Sequence, residues 1–217
     1  MASVAPTLRV IRAAECQTMP WKNGGGETTE IAVFPPGAGL DDFVWRVSRA
    51  KVASDGPFSV FAGVDRTLTV LEGAGMRLTI GDAEPVDLTP ASAPLSFAAD
   101  APTRASLLGG AVTDFNVMTR RGVRWHAVTS LGFEPGVVAQ HHTAAETVLW
   151  LCRSGRLRIE AQPRGQAQMG FELGIGDALL GQGLAASDWR LSSGQPMELF
   201  LVEIGTGESL KARERAD

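Results

Sequence analysis

Tyrosine is missing from all 217 residues, so no tyrosyl hydroxyl is available as a general acid. Cysteine is nearly missing. Cys16 and Cys152 stand far apart, which rules out a disulfide framework and makes reduced thiols the default. Histidine occurs only at His126, His141 and His142, so the first half of the chain has no imidazole to offer a metal. No Lys/Arg block interrupts the overall charge of −4, which argues against a nucleic-acid partner and against docking on anionic lipid. No apolar run approaches the roughly 20 residues of a membrane helix. The leading patch of Leu8, Val10 and Ile11 is broken by Arg9, so it makes a poor signal peptide and a fair first strand. The expected location is cytoplasmic. With 44% apolar and 20% charged residues the chain can build a core, and its length suits one large domain or two small ones.

What is present centres on Trp21-Lys22-Asn23-Gly24-Gly25-Gly26-Glu27-Thr28-Thr29-Glu30-Ile31. Three glycines permit positive φ and close backbone approach. The residues after them alternate as a strand does, with Thr29, Ile31 and Val33 on one side and Thr28, Glu30 and Ala32 on the other. No Lys-Ser/Thr follows the glycines and no helical pattern begins there, so this is not a phosphate loop.

Short alternating segments recur to the end of the chain, separated by Gly, Pro and Asp, and no long stretch keeps helical period. Phe43 to Ser48 places Phe43, Trp45 and Val47 on one face and Arg46 and Ser48 on the other. Asp114 and Asn116 likewise share a face, opposite Phe115 and Val117. Such texture predicts an all-β barrel or sandwich. A weak repeat relates Leu71–Ile80 to Leu151–Ile159 at an offset of about 80 residues, the size of a small barrel.

Four blocks carry a family resemblance: Trp21 to Gly26 with Thr28 and Glu30-Ile31; Trp45 to Ser48 with Ala50; Asp55 to Ser59 running to Phe61, Gly63, Asp65-Arg66 and Leu71; and Asp114 to Met118 with Arg120-Arg121. In this combination the chain resembles the HutD/Ves family, bacterial proteins associated with histidine utilisation. Ala62 departs from the family's usual proline, and the N-terminal segment is longer than usual. The resemblance implies a bicupin: two tandem double-stranded β-helix barrels of the RmlC-like kind. The expected boundaries are residues 1–121 for the N-terminal barrel, 122–210 for the C-terminal barrel and 211–217 for a charged tail.

Many cupins hold a metal through His-x-His, a following Glu and a late His. Here Gln140 takes the first His position, His142 and Glu146 form a remnant, and no His follows residue 142. Two protein ligands are too few for a tight transition-metal site, so no metal and no cofactor is expected. Adjacent His141 and His142 must point to opposite faces of a strand.

The polar residues of the four blocks are the candidate ligand-binding set: Lys22, Asn23, Arg46, Ser48, Asp65, Arg66, Asp114, Asn116 and Arg120. An Arg fork matches a carboxylate, while Asn and Ser read neutral donors and acceptors. If Arg46 and Ser48 face the lumen they meet a ligand and Trp45 packs between the barrels; otherwise they are rim residues. The alternative role for the charged members is a set of buried Asp–Arg pairs that orient loops.

The preferred expectation is a metal-independent binding protein for a small anionic metabolite, regulatory and not catalytic. By resemblance the ligand comes from histidine degradation (urocanate, formiminoglutamate or formylglutamate class). One rival is a cupin enzyme, either a weak metal site or a metal-free isomerase or lyase using Glu30, Asp65 or Asp114 as base and Lys22 as electrophile. The other is an interaction module with Trp21, Trp45 and Phe61 as exposed anchors. A homodimer is compatible with all three.

Overall fold

The computed structural model describes residues 6–22, 24–163, 167–184 and 186–206. Its strands are β1 (Thr7–Ile11), β2 (Thr18–Pro20), β3 (Gly26–Phe34), β4 (Trp45–Val52), β5 (Gly56–Pro57), β6 (Val64–Glu72), β7 (Met76–Ile80), β8 (Val86–Leu88), β9 (Leu95–Ala98) and β10 (Thr103–Leu107). They continue with β11 (Val112–Arg120), β12 (Trp125–Phe133), β13 (Val138–Thr143), β14 (Thr147–Ser154), β15 (Leu157–Pro163), β16 (Met169–Leu173), β17 (Ala178–Gln182), β18 (Ser187–Ser192) and β19 (Met197–Gly205). A single 3₁₀ turn at Ala13–Glu15 is the only helical element among the described residues. No helix among them is long and apolar enough to cross a membrane.

The all-β, bicupin expectation holds in detail. One unit contains the sheets β2-β3-β4-β11-β6-β9 and β5-β10-β7-β8; the other contains β1-β17-β14-β19-β12 and β13-β18-β15-β16. Each strand from β4 to β11 thus has a counterpart eight strands later, in the same sheet position. Numbered 1 to 8 within its unit, each set runs 1-8-3-6 in one sheet and 2-7-4-5 in the other, which is the jelly-roll order of a cupin. Gly73 and Gly155 occupy matching tight hairpins, both at positive φ. A Cβ would meet the Ala111 carbonyl in the first case and the Pro196 carbonyl in the second, so only glycine fits. The hairpins thus equate Gly155 with Gly73 across the repeat.

The two units comprise residues 16–125 and residues 6–15 with 126–206. The N-terminal segment is therefore not part of the first barrel, unlike the expected 1–121 unit. The pairing β1 with β17 explains the difference: Arg9 stands opposite Leu180 and Ile11 opposite Ala178, giving a barrel edge an extra antiparallel strand. Arg12 adds a 2.7 Å ion pair to Asp177. The charged tail, 211–217, lies outside the described residues.

In the first unit the interior packs Val52, Leu68, Val70, Met76, Leu78, Leu88 and Ala105, with Trp21, Phe58 and Phe97 against them. Toward one end Phe43, Val64, Ala99 and Met118 form a second cluster. The outward face of β4 and β11 is buried as well, through Trp45, Val47, Phe115 and Val117, and Trp45 stacks on Phe34 at 5.9 Å. A strand buried on both faces loses the inside–outside alternation that ordinarily identifies the lumen.

Candidate functional site

Cross-strand register places the polar residues inside the first barrel. Along one rung Glu30 faces Ser48, Ser48 faces Asn116, and Asn116 faces Leu68. Along the next, Val33 faces Arg46, Arg46 faces Met118, Met118 faces Arg66, and Arg66 faces Phe97. Residues opposite each other in a ladder project to the same side. That side is the interior, because Leu68 and Met118 belong to the core clusters. Arg46, Ser48, Arg66, Asp114 and Asn116 are all buried there.

Two linked hydrogen-bond groups result. Arg66 donates from Nε (2.9 Å) and Nη2 (2.5 Å) to Asn116 Oδ1. Asn116 Nδ2 donates in turn to Asp114 Oδ1 at 2.6 Å. The Arg66 guanidinium lies over the Phe58 ring at 4.5 Å and near Phe97 at 5.7 Å, so it is held by cation–π contact as well. Arg46 donates from Nε to Glu30 Oε2 at 2.9 Å and from Nη1 to Ser48 Oγ at 3.4 Å. A guanidinium has five N–H donors. Arg66 Nη1 and Arg46 Nη2 have no acceptor among the described residues, and both belong to buried side chains on one interior face.

Burial dominates the electrostatics. It lowers the Arg66 guanidinium to about 10, with Arg46 pulling the same way and Asp114 opposing. Burial also pushes the Asp114 carboxyl up to about 6, against the pull of Arg66 and hydrogen bonds from Asn116 and the Ala50 backbone. Arg66 therefore stays cationic at neutral pH, while Asp114 titrates near the physiological range.

The remaining sequence candidates are placed elsewhere. Asp65, adjacent to Arg66 on β6, points the opposite way and pairs with Arg121 at 2.7 Å. Arg121 also reaches Asp100 at 3.0 Å, so this is an exposed clamp between loops. Arg120 donates to the Asp41 and Ala62 carbonyls (2.8 and 3.2 Å) and lies over Phe43, tying loops at the barrel end. Lys22 is exposed on the turn before β3, and Asn23 lies outside the described residues. Trp45 is 2% exposed, so it is no surface anchor in this chain. The metal remnant does not assemble. His142 is exposed and bonds Asp188 at 2.8 Å, whereas Glu146 accepts from Thr206 at 3.1 Å. No group of three or more His, Cys, Asp or Glu is placed to hold a metal among the described residues.

Glu30, Phe58 and Phe97 join the site without having been in the candidate set. Glu30 was legible as a strand-face mate of Thr28. Phe97 was not, because β9 reaches β6 only through tertiary pairing.

The turn before β3 is built around its aromatic residue. Trp21 N donates to the Gly26 carbonyl at 2.8 Å, and Gly24 N donates to the Trp21 carbonyl at 3.0 Å. The indole Nε1 donates to Thr28 Oγ1 at 2.8 Å. This fixes the start of β3 and hence the placement of Glu30.

The HutD family model matches residues 13–199. The chain belongs to the HutD family. An uncharacterised 21.2 kDa protein from the hutC 3′ region of Pseudomonas putida is 36% identical over 169 residues, 76% of this chain and 83% of that protein. HutD of Pseudomonas fluorescens SBW25 superimposes with a TM-score of 0.77 at 31% identity, covering 92% of this chain and 99% of that one. A conserved protein of unknown function from Pseudomonas aeruginosa PAO1 gives 0.83 at 37% identity, covering 92% and 100%. Lactobacillus farciminis oxalate decarboxylase, at 9% identity, gives 0.68 over 98% of this chain and 92% of its own, a likeness of fold alone. The HutD family is linked to the histidine-utilisation locus.

Proposed function

We propose that the N-terminal barrel binds a small carboxylate metabolite without a metal, and that the protein acts as a regulatory binding protein in histidine catabolism. The observation that carries this reading is the pair of buried guanidinium groups, Arg46 and Arg66, with unused donors on one interior face. A buried cation with spare N–H groups favours an anion that accepts them in parallel. Asn116 and Ser48 complete the donors and acceptors, and Phe58 and Phe97 supply an apolar flank. Urocanate, formiminoglutamate and formylglutamate all carry the required group.

Thermal shift on the metal-stripped protein tests this. Stabilisation by one of these carboxylates, with none from divalent metals, is the expected result. A ligand at about 100 times its Kd adds roughly 2.7 kcal/mol. Silence across the carboxylates, or stabilisation by metal alone, overturns the reading.

Binding should also depend on pH in a defined direction. A carboxylate on Arg66 places negative charge near Asp114, which raises the Asp114 carboxyl above its free value of about 6. The complex then holds the Asp114 proton more tightly than the free protein does, so binding takes up a proton. Affinity is greatest below about 6 and falls as the pH rises through the free and then the bound value. Calorimetry between mildly acidic and alkaline pH, in buffers of different ionisation enthalpy, should show this uptake. Asp114→Asn should abolish it.

A further inference from the structure

The C-terminal barrel has a polar interior of its own, and nothing in the first site uses it. His141 on β13 stands opposite Trp189 on β18, and both look toward the facing sheet. Trp150 on β14 of that sheet meets them, 5.4 Å from His141 edge-on and 5.5 Å from Trp189 at a 58° tilt. Two residues along β13, Thr143 donates its hydroxyl to Glu203 Oε1 on β19. Val148 faces Glu203 and Trp150 faces Leu201, so Glu203 and Trp150 project into the same interior.

Trp150 is 0% exposed and Trp189 1%, yet neither indole Nε1–H has an acceptor among the described residues. An indole nitrogen can only donate, and buried donors in native proteins find partners. Two such donors in one ring cluster mark a place where an acceptor belongs. The buried Glu203 carboxylate beside them disfavours an anion there, in contrast to the arginine-lined first barrel.

We propose that the C-terminal barrel is a second binding site, for a small uncharged polar molecule of the amide class that accepts hydrogen bonds from Trp150 and Trp189 beside Glu203. Its carbonyl oxygen receives the indole protons, and its N–H groups face the carboxylate. The site is independent of the carboxylate site and does not depend on that reading.

Acetamide and acetate provide the test, because they share a shape and differ in charge. The indole N–H signals of the full-length chain are followed by ¹⁵N-resolved NMR and assigned with Trp150→Phe and Trp189→Phe. Acetamide should shift both signals saturably, in the wild type and in Arg66→Ala alike, and acetate should leave them unmoved. Each Trp→Phe change should weaken acetamide binding about tenfold, the weight of one hydrogen bond in a buried site. If one variant fails to fold, the other carries the measurement. Equal shifts with acetate, or dependence on Arg66, would assign the effect to the first barrel and overturn the proposal. Absence of any saturable acetamide shift would mean that ordinary water serves the indoles, which overturns it too.

Discussion

Arg66→Ala should lower affinity for a small carboxylate such as formate or acetate by about 30-fold or more, since truncating one member of a buried charged hydrogen-bond group typically costs 2–5 kcal/mol. The change removes the donors aimed into the lumen and the stack on Phe58. It also strands Asp114, whose carboxyl already sits at about 6 with Arg66 beside it. Loss of that cation raises the carboxyl further. Its folded value then exceeds its unfolded value by a wider margin, so the variant is most stable at low pH and loses stability as the pH rises through the folded value. Arg66→Lys keeps the charge but not the fork or the planar stack, and should fall between. Asp65→Asn alters a neighbour in sequence that faces the other way, and should leave binding unchanged. Calorimetry paired with thermal denaturation separates the outcomes. Unchanged affinity per folded Arg66→Ala molecule, with lost stability, would make Arg66 a structural residue only.

Gly26→Ala should be the most damaging single methyl group in the motif. A Cβ at residue 26 would overlap the Lys51 backbone carbonyl and press on the Trp21 ring at 3.1 Å. The carbonyl belongs to β4, directly alongside β3, and cannot withdraw without breaking the ladder. We expect a loss of about 3 kcal/mol, at the upper end for overpacking. For a chain of this size that corresponds to a melting temperature lower by about 10 °C. Displacing Trp21 also releases its bonds to Gly26 and Thr28 and shifts Glu30, so carboxylate affinity should fall in the molecules that remain folded. Gly24→Ala is the control. Gly24 has φ of +71° with open space around it, so only the left-handed strain of about 1 kcal/mol applies. A smaller loss for Gly26→Ala than for Gly24→Ala would contradict this account.

Much of the site was legible because strand periodicity is strictly two. From sequence alone Arg46 shared a face with Ser48, and Asp114 with Asn116, and the structure keeps both pairings. The same rule could have split Asp65 from Arg66, and it does assign His141 and His142 to opposite sides. It could not say which side is which. β4, β11 and β14 are buried on both faces, so hydrophobicity does not mark the lumen there. Only the closure of each barrel chose the interior, taking Arg66 rather than Asp65 and His141 rather than His142.

By itself the sequence determined the all-β class, the doubled barrel and the family, because short alternating strands, a repeated Gly hairpin and four motif blocks are local features. The tertiary structure decided what locality cannot. It joined β1 to β17 across most of the chain, and it brought Phe97 beneath Arg66 through the β6–β9 ladder. It also made Gly26, not its glycine neighbour at 24, the position that tolerates no side chain. These outcomes rest on contacts between residues far apart in sequence. Such contacts depend on how sheets pair and close, and no residue's own propensity encodes them.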